Sequence, residues 1–317
     1  MKEGEGLPGI ILSLLIGIVS FLLSGFHPAF DSLVVSIILG ILLGNTLSNR
    51  ERLQKGIEVM LKYCLPVGIA LYGTQLTFGH NIERTWLYVV MIFLFFLAAT
   101  LIISRLLRLP GTLSILLASG LAVCGASAIA VISPLVGAKR EDTSISIISI
   151  LVIGLLSVVF YPVIWEDLGF TVRQFAFFSG TTIPMLGQVK VAVLETGREG
   201  INLAVRFKLI RISMLIFVAT AVVLLRGRQD KRTTIPWFMV VFVVLAFLSN
   251  FVEAVSNMVP IFEPVSRFFL SSALAAIGLS VDLDSIMSEG ARPLLAVFFS
   301  WCLGCLLVYA CVEFFGV

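Results

Sequence analysis

Apolar runs long enough to cross a bilayer follow one another almost without pause from residue 7 to residue 314, and nothing else in the sequence narrows the fold as far. The hydrocarbon core of a membrane asks about 20 consecutive apolar residues of a helix. Measured with that ruler, the chain divides into about eleven segments, 7–25, 30–47, 57–78, 85–107, 112–136, 144–165, 172–194, 202–225, 235–253, 262–283 and 293–314. Backbone N–H and C=O groups find no partner in hydrocarbon, so such segments must satisfy themselves as helices. Composition agrees, since 59% of residues are hydrophobic and 13% charged, against roughly 25% charged in a soluble domain. Too little polar sequence remains to clothe a soluble core, which makes the lipid bilayer the outer solvent. The sequence therefore predicts an all-α polytopic membrane protein. No small-residue cleavage site follows the first run, which reads as a retained segment and not a signal peptide.

Positive charge collects at Arg50, Arg52 and Lys55, at Arg105 and Arg108, and at Arg226, Arg228, Lys231 and Arg232. If every segment crosses, all three connections lie on one side, and the positive-inside rule places them and the N-terminus in the cytoplasm of a bacterial inner membrane. Lys139 and Arg140 dissent, beside Glu141 and Asp142. Basic residues confined to short connections orient a chain in the bilayer and give no basis for a nucleic-acid partner. The amphipathic run 50–55 suits the inner membrane surface. Cys64, Cys124, Cys302, Cys305 and Cys311 all fall in apolar segments, without the spacing of a disulfide framework or a metal site. No HExxH, phosphate loop or nucleophile elbow is present, so neither an enzyme nor a cofactor is indicated.

An internal echo joins Ala70, Leu71, Tyr72, Gly73 and Thr74 to Ala275, Ala276, Ile277, Gly278 and Leu279, at a shift of 278 − 73 = 205 residues. The same shift lays the second segment on the ninth. An odd number of crossings separates the copies, so they face opposite ways, the inverted-repeat plan of secondary transporters. The expected organisation is one integral membrane domain, 1–317, with 30–165 as first repeat and 172–317 as second, in a permuted order.

Two segments contain helix breakers at membrane depth. In the fifth, Cys124, Gly125, Ala126 and Ser127 allow unwinding and would offer backbone N–H groups to an anion; close packing of small residues is the alternative. In the seventh, Pro184 suits the first turn of a new helix, so that 180–183 reads as an unwound crossover. Thr181, Thr182 and Gln188 would then present hydroxyls and an amide, the alternative being threonines bonded back to their own helix. Lys190 follows. On the eighth segment Lys208 and Arg211 share a helical face; Lys208 is expected to snorkel to an interface and Arg211 to supply charge to a cavity. Asp282 and Asp284 read as solvated residues at a helix end, and His27 and His80 as surface groups in connections.

Taken together, 40–46, 71–78, 124–128, 208–211, 234–238 and 275–279 resemble the YeiH-type sulfate exporter family of bacteria, in order from about the second segment to the C-terminus. The resemblance implies the superfamily of cation:proton antiporters and bile-acid:sodium symporters, with core and panel domains and two discontinuous helices that cross near the substrate. Relatives carry His-Glu where this chain has Pro184 and Met185, which puts a coupling role for that pair in doubt here. Gln188 matches the family, and Lys190 stands where an apolar residue is usual. Crossing helices of an inverted repeat run in opposite directions, whereas the fifth and seventh segments count as parallel, so either the seventh is a re-entrant hairpin, or one boundary is misplaced, or the third and tenth segments, with Gly73 and Gly278, are the crossing pair.

The sequence thus points to a secondary transporter of a small anion, sulfate-like or an organic acid, working by alternating access. Its substrate residues would be Cys124, Gly125, Ala126, Ser127, Thr181, Thr182, Gln188 and Arg211, with Lys190, Lys208, Gly73 and Gly278 as secondary candidates. A proton or sodium ion as coupling partner and a homodimeric assembly are compatible with it. A cation:proton antiporter and a non-transporting scaffold or sensor subunit are the alternatives. With eleven crossings, a C-terminal alkaline phosphatase fusion is expected to be active and a C-terminal GFP fusion dark; the reverse pattern would invert the assigned orientation.

Overall fold

A computed structural model describes residues 6–26, 31–47, 51–76, 85–229, 237–280 and 291–315. Arg50, Lys231, Arg232, His27, His80, Asp282 and Asp284 lie outside them. Helix is the only regular secondary structure among the described residues. In chain order the helices are α1 (Leu7–Ser24), α2 (Ser32–Thr46), α3 (Glu51–Tyr72), α4 (Thr85–Leu106), α5 (Gly111–Ala122), α6 (Ala126–Val136), α7 (Arg140–Leu168), α8 (Val172–Thr182) and α9 (Leu186–Ala192). They continue as α10 (Gly197–Ser213), α11 (Leu215–Gln229), α12 (Trp237–Phe251), the single turn α13 (Glu253–Ser256), α14 (Val259–Ser280) and α15 (Arg292–Phe315). Among the described residues seven stretches are long and apolar enough to cross a membrane, and four shorter apolar helices accompany them.

Each expected segment has its counterpart, and the differences are local. The fifth segment is the pair α5 and α6, the seventh is α8 and α9, and the eighth is α10 and α11 joined at Met214. From Glu51 onward the basic run is the first turn of α3, which continues unbroken to Tyr72, so it is no separate surface helix. α3 and α14 both hold an internal proline, at Pro66 and Pro264, yet neither is interrupted there. Gly278 lies within unbroken α14, whereas Gly73 opens the 3-10 turn that ends α3.

The helices are built inside out relative to a soluble protein. α1 exposes Leu7, Ile11, Leu15, Ile18 and Leu22, spaced four, four, three and four apart as one helical stripe. Its buried face consists of Gly9, Ser13, Ile16, Gly17 and Ser20. α15 repeats the pattern outward with Leu295, Phe299, Leu303 and Leu306. Large apolar side chains outside with small and hydroxyl-bearing ones inside is the arrangement that lipid rewards, because close backbone approach, not escape from water, holds such helices together. The chain is a multi-pass membrane protein.

Two compact units make up the chain, each drawing on both its halves. The first comprises Met1–Thr77, Lys139–Ser144 and Ala221–Glu289, and the second Phe78–Ala138, Ile145–Thr220 and Gly290–Val317. In the first unit the 205-residue echo acquires a physical form. A Cβ on Gly73, in the 3-10 turn that ends α3, would strike the carbonyl oxygen of Phe242 in α12; one on Gly278 in α14 would strike that of Ile37 in α2. The struck residues are themselves equivalent, since 242 − 37 = 205. Asn45 and Asn250, again 205 apart, each donate through Nδ2 to the carbonyl four residues earlier, Ile41 and Ala246, at 2.7 Å. Reciprocal contacts, in which copy one touches copy two as copy two touches copy one, are what a two-fold relation requires.

Gly73→Leu and Gly278→Leu are accordingly expected to lower the thermal unfolding midpoint in detergent to similar degrees, each costing about 1–3 kcal/mol by overpacking against backbone. Gly111→Ala, with nothing within 4 Å of the added carbon, is the silent control.

Candidate functional site

Both broken segments lie in the second unit. α5 stops at Ala122, and Val123 and Gly125 carry the chain around a corner before α6 starts at Ala126. Gly125 takes φ 70° and ψ −127°, a conformation open only to glycine. A Cβ there would also lie 2.7 Å from the Met185 side chain. α8 ends at Thr182, Ile183 and Met185 are extended, and α9 begins at Leu186. Pro184 explains the position of this break, having no N–H to donate and disfavouring helical backbone in the residue before it. The unwinding thus falls at 183–185, beyond the 180–183 read from the sequence. Gly180 remains helical, and its missing side chain serves the approach of α10, where a Cβ would meet the Ala204 carbonyl.

A helix that stops at membrane depth leaves its last four carbonyls without intrahelical partners, and together they carry roughly half a negative charge. For α5 the account closes completely. Ser119 O accepts from Val123 N at 3.0 Å and Gly120 O from Gly125 N at 2.8 Å. Ala122 O accepts from Arg211 Nε at 2.9 Å, and Leu121 O from Arg211 Nη2. The same guanidinium donates through Nη1 to Thr181 O in the last turn of α8. Lys208 Nζ donates to Ile183 O, the next carbonyl beyond that helix, at 2.7 Å. Two half-helices thus end on two cations from one face of α10.

Arg211 and Lys208 are both 0% exposed. The Phe96 ring lies 5.1 Å beneath the guanidinium carbon, a further favourable contact for a desolvated cation. Lys208 therefore does not snorkel. The planar fork of arginine suits this position because three carbonyls from two helices must be reached by one rigid group.

The opposite ends of the breaks are dressed differently. No side chain caps the N-terminus of α6. Cys124, Gly125 and Ala126 are buried around it, and Ser127 is half-buried. Gln188 on α9 is 2% exposed, and neither its Oε1 nor its Nε2 has a hydrogen-bond partner. Its carboxamide lies against Gly154 of α7, where a Cβ would overlap it. One turn earlier on α7, Ile150 borders Gly125, so the amide and the start of α6 line the same stretch of that helix.

Thr181 and Thr182 have committed their protons. Each hydroxyl donates to its own helix, Thr181 to Phe177 O at 2.7 Å and Thr182 to Phe178 O at 2.6 Å. Lys190 is exposed. Gly73 and Gly278 belong to the first unit and its helix contacts.

The model of the family described as conserved hypothetical protein 698 matches residues 8–297. The chain belongs to that family. Among its relatives, a UPF0324 membrane protein of Archaeoglobus fulgidus is 30% identical over 304 residues, covering 95% of this chain and 90% of the relative. A UPF0324 membrane protein of Pseudomonas aeruginosa is 31% identical over 322 residues, 93% and 91% of the two chains. The UPF0324 inner membrane protein YeiH of Escherichia coli K12 is 30% identical over 317 residues, 93% and 90%. No solved structure matches the chain. The family reached from the motifs is thus the one that the relatives share.

For this family member the structure adds residues that sequence reasoning missed. Tyr161 Oη lies 2.8 Å from Thr182 Oγ1 and 3.3 Å from Cys305 Sγ. Because the Thr182 proton goes to Phe178 O, Thr182 accepts from Tyr161, whose oxygen is left for the Cys305 thiol. That directed chain ties α15 and α7 to the last residue of α8. The available signal was a tyrosine within an apolar run, since a buried phenol needs a partner. Phe96 and Gly154 gave none, being ordinary residues of apolar helices.

Arg211→Ala is expected to destabilise the protein by on the order of 3 kcal/mol or more, since three carbonyls lose a partner at about 1–3 kcal/mol each. Arg211→Lys should recover only part, because an ammonium cannot span them. Thermal unfolding in detergent checks both. An unchanged midpoint for Arg211→Ala would show that the clasp contributes nothing.

Proposed function

We propose that this chain is a secondary active transporter of a small anion, moving a sulfate-like oxyanion or an organic acid across the bacterial inner membrane by alternating access. One observation carries the reading: the negative ends of the broken helices are neutralised by Arg211 and Lys208, while the positive end of α6 has no capping side chain. Peptide N–H groups at a helix start attract anions, and broken half-helices at membrane depth are where secondary transporters hold theirs. Gly125 opens α6 without a side chain to cap it, and the unpartnered amide of Gln188 lies along the same stretch of α7. Arg211 and Lys208 act as positioning residues that fix the breaks and leave a net positive interior. A cation carrier would need a titrating acid there. Among residues of described burial Asp142 is the one buried acid, and it belongs to the first unit. The orientation with a cytoplasmic N-terminus and the absence of enzymatic activity belong to the same reading.

Counterflow in proteoliposomes tests it. Vesicles loaded with unlabelled anion are expected to take up labelled sulfate, bicarbonate or short carboxylates saturably, and to show no exchange of sodium or potassium. Saturable cation exchange with no anion flux would overturn the proposal.

A further inference from the structure

The Gln188 side chain narrows the solute beyond its charge. A carboxamide brings two kinds of hydrogen-bonding atom, an acceptor oxygen and a donor NH2. Both are buried and unpartnered here, in a side chain only 2% exposed. Leaving such groups unpaired in a low-dielectric interior is costly, so the bound solute is the natural partner for both. The amide lies over Gly154, and Ile150, about 6 Å earlier along the same helix, borders Gly125 at the start of α6. The amide and the start of α6 thus border neighbouring turns of α7.

The two features ask for different atoms. Uncapped N–H groups of α6 favour negatively charged oxygens, and Nε2 of Gln188 donates to the same kind of atom. Oε1 needs a donor. Sulfate, nitrate and simple carboxylates offer acceptors alone and would leave Oε1 facing negative charge. Arg211 and Lys208 give four hydrogen bonds, to the Leu121, Ala122, Thr181 and Ile183 carbonyls at the other ends of the breaks. The N–H groups of α6 and of Gln188 bring partial charge alone, which suits one negative charge better than two.

From this geometry we infer that the solute is a monoanion bearing its own hydrogen-bond donor, such as a 2-hydroxycarboxylate or a protonated oxyanion, and that Gln188 is the residue that selects it. The inference rests on the anion-transport reading above.

Matched pairs of probes test it on the full chain in detergent by thermal-shift titration: lactate against propionate, glycolate against acetate, and bicarbonate against nitrate. The donor-bearing member of each pair is expected to half-saturate at a concentration at least about tenfold lower, the worth of one buried hydrogen bond. Gln188→Met, similar in length without the amide, is expected to erase that preference. Gln188→Glu, which swaps the donor for negative charge, is expected to lose all stabilisation by anions. Equal responses within the pairs, or a preference that survives in Gln188→Met, would overturn the inference and leave anion transport standing. The wild-type pairs decide the matter even if neither variant folds. No stabilisation by any anion, together with no anion counterflow, would remove the transport reading and this inference with it.

Discussion

The second unit depends on a clasp in which one guanidinium and one ammonium hold the carbonyl ends of two interrupted helices. Stopping a helix inside a membrane strands carbonyls in a medium that offers them nothing, at a cost of several kcal/mol apiece. Water cannot repair this, so the repair must come from the chain. Arg211 and Lys208 supply it from one face of α10, at the further expense of burying two cations. The arrangement is self-consistent because each liability answers the other. Helix-end dipoles stabilise the cations, and the cations satisfy the helix ends.

That exchange sets the polarity of the site. With the negative ends occupied, the electrostatic character of the break region passes to the positive end of α6 and to the cations themselves. Gly125 contributes twice, by adopting a conformation forbidden to other residues and by admitting Met185 where a side chain would stand. Gln188 is then a buried side chain with both amide atoms unmet. The Tyr161 chain serves the same end of α8 from the other side, where Thr182 uses its proton on Phe178 and receives one from the phenol.

Most of the fold was legible because apolar run length is a blunt and reliable signal in a membrane protein. The echo between Gly73 and Gly278 was legible as pattern, and its meaning needed coordinates, since only these show that Ile37 and Phe242 are the surfaces approached. The break in the fifth segment was visible in Gly125. That in the seventh was placed three residues early, because Gly180 suggested unwinding when its role is to let α10 come close. Arg211 and Lys208 were recognisable as unusual, but no sequence feature tells whether a buried cation addresses a solute or a backbone. Carbonyls are common to every residue, so their involvement leaves no compositional trace.

That anonymity has an evolutionary side. Since Arg211 addresses main-chain oxygens, the side chains at Leu121, Ala122 and Thr181 take no part in the clasp. Side chains of similar size at those positions would leave the three acceptors in place. The join between the ends of α5 and α8 runs instead through a single side chain, Arg211, with Lys208 holding the carbonyl just beyond α8.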